Sequence, residues 1–91
     1  DVQSLLREVV FAISAPSARE IYLVGDFNQW KINEQARLLK SDDGKWEKRV
    51  GLNPGKYRYK FVVDGEWVID SKNPEREQNM FGTFDSVAKL E

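Results

Sequence analysis

The sequence has no cysteine, no histidine and a single methionine. Without cysteine there is no disulfide framework and no thiolate metal site, a composition compatible with the cytosol, and a cytoplasmic location is the expectation. Without histidine the commonest general base and the commonest metal ligand are missing together. A two-carboxylate glycosidase stays formally open. However, most of the 15 acidic residues sit beside basic ones or in turns, as solvated charges do. The chain is therefore read as no enzyme, with no metal and no cofactor. An excess of one charge is absent too. The 14 Lys and Arg against 15 Asp and Glu leave a net charge of -1, with no field to gather nucleic acid or anionic lipid. No apolar run approaches the roughly 20 residues that span a bilayer, and no signal peptide is visible. Position 1 is Asp rather than Met, so a piece of a longer protein is expected. The 91 residues suffice for one domain with a single core.

What the chain does have is short segments of period two. "REVVFAIS" (7–14) puts Val9, Phe11 and Ile13 on one face, and "APSA" after it is a turn. "EIYLVG" (20–25) alternates Ile21 and Leu23 with Tyr22 and Val24. "ARLLK" (36–40) is a weaker strand candidate. "KWEKRVGL" (45–52) aligns Trp46, Val50 and Leu52 before the turn "NPG" (53–55), so Trp46 reads as core or edge. "KYRYKFVVD", "EWVID" and "GTFDSVAKL" complete the series. Such a succession predicts an all-β fold, an antiparallel immunoglobulin-like β-sandwich of about seven strands. Val2, Leu5, Leu6 and Val9 have helical spacing, so residues 1–8 are read as a lead-in with a short helix. Residues 9–89 form the sandwich domain, and 90–91 are set aside as a cloning remnant.

"YRYKFVVDGEW" (57–67) is a hairpin in outline. A two-residue type I′ loop at Asp64-Gly65 places Val63 opposite Glu66, Val62 opposite Trp67 and Lys60 opposite Ile69. Cross-strand partners share a face, so Lys60, Val62, Trp67 and Ile69 lie together. Tyr59, Phe61, Val63 and Val68 lie on the other face, the better core candidate. On the hairpin alone, Trp67 reads equally well as a cover for Val62 on a solvated sheet.

A second segment, "YLVGDFNQWK" (22–31), sets two aromatics among Asp26, Asn28 and Gln29 in a loop. Strand periodicity does not separate Phe27 from Trp30. One is expected to plug the end of the sandwich and the other to stay outside. Two tryptophans beside amides and a lysine suggest a stacking platform, which suits sugars or single-stranded bases. A pyranose offers a flat patch of C–H groups to the ring and hydroxyls to Lys, Asn and Thr. Single-stranded nucleic acid would also need a positive groove, and the near-neutral charge disfavours it.

Taken together, "IYLVGDFNQW", "GKW", "NPGKYRYKFVVDGEWVID" and "NMFGTFDSV" resemble carbohydrate-binding module family 48 over about residues 9 to 88. The family includes the glycogen-binding domain of the AMP-activated protein kinase β subunit and N-terminal domains of glycogen branching and debranching enzymes. The resemblance implies an early-set immunoglobulin-like sandwich that binds α-1,4-linked glucans such as glycogen, starch and malto-oligosaccharides. It puts the sugar platform on Trp30 and Trp67 and a hydroxyl donor on Lys60. Phe81 stands where kinase-type domains have a leucine that reaches into the curved glucan. Thr83 matches a polar contact, and Asp85 replaces an asparagine. A carboxylate accepts hydrogen bonds from hydroxyls without donating any, so the contact at Asp85 changes form. The partners implied are an α-glucan, other domains of a larger parent chain or a kinase-type complex, with no nucleic acid and no membrane. Two other readings stay open: a structural N-terminal module packed on a catalytic barrel, and a protein-interaction module of a kinase regulatory subunit.

Overall fold

The computed structural model describes residues 6–90. Eight strands form among the described residues: β1 (Arg7–Ser14), β2 (Ile21–Gly25), β3 (Leu39–Lys40), β4 (Lys45–Leu52), β5 (Gly55–Val63), β6 (Glu66–Val68), β7 (Arg76–Gln78) and β8 (Phe84–Leu90). They make two antiparallel sheets, one ordered β1-β4-β3 and the other β2-β5-β8-β7 with β6 paired to β5. The alternation read from the sequence is the one the sheets use. Phe11, Trp46 and Leu52 from the first sheet meet Ile21, Leu23, Tyr59 and Phe61 from the second, with Leu38 from the connection between β2 and β3. Phe11 and Tyr59 join the sheets edge to face, with ring centroids 4.8 Å apart. Trp46 is buried, and its Nε1 donates to the Ala15 carbonyl at 3.0 Å.

β5 is the central strand. β2 pairs with its residues 59–63 along one edge, while β8 pairs with 55–59 along the other. Beyond Tyr59, β6 takes over that second edge at residues 61–63. The change of neighbour falls at Lys60.

A polar cluster ties the 69–75 connection to this sheet. The Tyr59 hydroxyl donates to Asp70 Oδ2 at 2.7 Å and accepts from Asn73 Nδ2 at 3.0 Å. Asp70 N–H donates to Ser86 Oγ at 2.8 Å. Burial pushes the Tyr59 phenol well above its ordinary pKa, with the Asp70 carboxylate adding to the rise.

Several boundaries differ from expectation. Arg7 and Glu8 belong to β1, opposite Leu52 and Gly51, rather than to a helical lead-in. Val9 is strand as well, and Val2 and Leu5 lie outside the described residues. Leu90 ends β8 opposite Gly55 and packs on the core. "ARLLK" yields a two-residue strand because Asn33 first caps a 3-10 turn at Glu34–Ala36, its Oδ1 accepting from Ala36 N–H at 3.2 Å. The hairpin ladder ends at Val68, so Lys60 is paired with Val24 and not with Ile69.

Candidate functional site

The outer face of the β5 sheet carries the site, and the hairpin turn sets its register. Asp64 and Gly65 both take left-handed backbone (φ 49° and 87°), as a type I′ loop requires, and Val62 lies opposite Trp67. Backbone N–H groups of Arg19 and Glu20 each donate to Asp64 Oδ1 at 2.9 Å. These bonds fix the turn and hold its carboxyl below the usual carboxylate range. Arg58, Lys60 and Val62 alternate onto the outer face with Trp67. Val24 and Val62 are buried there although the face points away from the main core.

The loop after β2 brings in the second tryptophan. Gly25 lies so close to β5 that an added Cβ would come 2.5 Å from the Arg58 carbonyl oxygen. Asn28 folds the chain back, its Nδ2 donating to the Leu23 carbonyl at 2.9 Å and its Oδ1 accepting from Gly25 N–H at 3.0 Å. Phe27 is then the inward aromatic, tilted against Phe11 at 5.6 Å. Gln29 and Trp30 both adopt left-handed backbone (φ 54° and 59°), which turns the Trp30 indole onto the outer face. Such a conformation costs a non-glycine residue roughly 1–2 kcal/mol. Trp30 Nε1 donates to Asp26 Oδ1 at 3.1 Å, and Asp26 Oδ2 accepts from the Arg58 N–H at 2.9 Å. The two tryptophans meet as a stacked pair, ring centroids 6.5 Å apart and planes 21° from parallel.

Facing this pair is the loop between β7 and β8. Gly82 (φ 85°) makes the reversal, and Phe81 projects into solvent, 84% exposed, beside the equally bare Met80. Asn79 organises the turn: its Oδ1 accepts from the N–H groups of Phe81 (3.0 Å) and Thr83 (3.2 Å). Lys60 Nζ donates to Thr83 Oγ1 at 3.3 Å and stands 3.6 Å from Asp85 Oδ1. An open groove of about 640 Å³ results, lined by both tryptophans, Lys60, Phe81, Thr83 and Asp85.

All six residues singled out in the sequence therefore converge on one groove. Asp26, Arg58, Asn79 and Met80 line it too, and sequence reasoning did not select them. Asp26 lay inside the quoted loop and Arg58 two residues from Lys60 on the same strand face. Asn79 and Met80 lay inside the quoted "NMFGTFDSV", but no periodicity set them apart; Gly82 and Thr83, read as the start of a strand, belong to the turn before β8 at Phe84.

In such a groove, the exposed Trp67 indole and the partly buried Trp30 indole offer apolar contact, while Lys60 and Thr83 offer hydrogen bonds to hydroxyls. Residues 8–90 match the family described as "Glycogen recognition site of AMP-activated protein kinase". Among curated proteins, FLOURY ENDOSPERM 6, chloroplastic, of Oryza sativa subsp. japonica is 39% identical over 71 residues, 78% of this chain and 13% of the relative. The 5'-AMP-activated protein kinase subunit beta of Schizosaccharomyces pombe is 38% identical over 71 residues, 75% of this chain and 22% of the relative. Among solved structures, a maltogenic amylase from S. marinus superposes with a TM-score of 0.74 at 27% identity, covering 92% of this chain and 13% of the amylase. The chain thus spans only a small part of the proteins it matches. Motif order, sandwich topology and groove agree with the family match: the chain belongs to the glycogen-recognition domains of AMP-activated protein kinase type, carbohydrate-binding module family 48.

Proposed function

We propose that this chain is a non-catalytic module that binds α-1,4-linked glucans of the glycogen and starch type. The observation that carries the reading is the Trp30–Trp67 pair on the same groove as Lys60. Neighbouring glucose units stack their C–H faces on the two indoles. Lys60 has three N–H donors; Thr83 accepts from one, and Asp85 stands 3.6 Å away as an ion-pair partner, so N–H groups remain for sugar hydroxyls. Phe81, bare of protein contacts over most of its ring, enters the concave side of the curved chain. Because the indoles and Lys60 are held before ligand arrives, little ordering entropy opposes binding. Short oligosaccharides bind with a Kd on the order of 10 μM to 1 mM. Repeated sites on glycogen raise retention further.

The test is migration through native gels with and without glycogen, paired with tryptophan fluorescence during a maltoheptaose titration. Retardation together with a saturable fluorescence change is expected. Unchanged mobility and flat fluorescence would refute the reading. Because the chain covers 10% to 22% of plant and yeast relatives, its setting is proposed to be a larger glucan-handling protein or a kinase complex, which this module tethers to its polysaccharide.

A further inference from the structure

Below the tryptophans and Phe81, a layer of polar contacts runs along the groove floor. Among the described residues Asp85 is the one charged residue that is buried, at 5% exposure. Its Oδ1 accepts from Asn79 Nδ2 at 3.0 Å and lies 3.6 Å from Lys60 Nζ, and its Oδ2 lies 3.9 Å from Arg58 Nη1. Asn79 has no capacity left for a ligand. Its Nδ2 donates to Asp85 and to Thr83 Oγ1 (2.8 Å), and its Oδ1 accepts from Phe81 and Thr83 N–H groups. Arg58 is engaged likewise, donating to Glu77 Oε1 at 2.7 Å. Along the groove, Arg58 and Lys60 are matched by Asp26 and Asp85, so the lining carries no net charge.

Resting on the glucan reading of this groove, we propose that Asp85, held by Asn79, is a positioning residue that aims Lys60 and cancels its charge, so that the groove selects uncharged glucans over phosphate-ester glucans. A phosphate monoester carries nearly two negative charges near neutral pH. Entering this groove it would give up water, meet two carboxylates and find both cations already paired. A neutral hydroxyl asks only for an N–H that Lys60 keeps free.

The experiment is calorimetric titration of the chain with maltoheptaose and with its phosphate monoester, at low salt and at about 0.5 M salt. The parent is expected to prefer maltoheptaose by about fivefold or more. Asp85→Asn should move the ratio of affinities about tenfold toward the phosphorylated sugar, and salt should shrink that change. Asn79→Asp, which adds a negative charge, should move the ratio the other way. Loss of structure alone would weaken both sugars together, so the ratio separates charge setting from folding. A ratio unchanged in both variants while glucan binding persists overturns the proposal alone. No response of the parent to either sugar overturns the glucan reading and this proposal with it.

Discussion

Replacing Trp67 by alanine tests the platform most directly, because the geometry supplies the magnitude. The residue is 46% exposed. A tryptophan offers up to about 250 Å², so roughly 100 Å² is open to a ligand. A glucose ring covering half of that removes about 50 Å² from water, about 1.3 kcal/mol at 25 cal/mol per Å². Face contact with the indole adds about 1 kcal/mol. The sum, about 2.3 kcal/mol, corresponds to roughly a 40-fold weaker Kd for maltoheptaose. Trp67→Phe keeps a smaller face and should retain part of the affinity. The fold should survive, since the indole is half in solvent on a three-residue strand. Calorimetry gives the Kd, and circular dichroism melting checks the fold. A Trp67→Ala protein that melts like the parent and binds within about threefold of it would refute the stacking argument.

Three further outcomes are expected. Gly25→Ala should destabilise the sandwich by about 2 kcal/mol, a fall in Tm of roughly 10 °C, because the new Cβ collides with β5 backbone and not with a yielding side chain. The Tyr59 phenol, raised by burial above the ordinary phenol value of about 10, keeps its proton in the folded state while the unfolded one ionises. Its contribution to stability should therefore be fully present below about pH 10 and decline above it, and Tyr59→Phe should flatten that decline in urea melts taken across the alkaline range. Asp64, lowered from 3.8 by its bonds from Glu20 and Arg19, contributes stability above that value and loses it as pH falls through the folded one. Asp64→Asn, which tolerates the left-handed turn, should remove this acid dependence, as read from urea midpoints near about pH 5 and about pH 2.5.

Much of this architecture was legible because hydrophobic alternation and a two-residue turn are local signals. From Asp64-Gly65 alone, the register placed Val62 opposite Trp67 and put Lys60 on the same face. "KWEKRVGL" coincided with β4 to the residue. β7 was not legible: Arg76, Glu77 and Gln78 lack an apolar face, and the strand exists because its backbone completes β8. The side on which Trp30 lies was also beyond reach. It depends on two left-handed residues and the Asn28 bonds, which alternation does not encode. Asp85 was singled out as a sugar contact from its place in the motif, whereas its burial against Lys60, Arg58 and Asn79 arises from three separate segments.

The left-handed backbone at Gln29 and Trp30 puts two selective pressures in opposition. Stability alone favours glycine or asparagine at both positions, since either relieves strain that glutamine and tryptophan bear. At position 29, which is exposed, that drift costs the groove nothing, and Gln29→Gly should leave sugar binding untouched. At position 30 the same drift erases half the indole pair. A population of variants screened only for thermal endurance should therefore accumulate blind modules, well folded and indifferent to polysaccharide. On the glucan reading, the left-handed strain at position 30 is offset by what the indole offers the ligand.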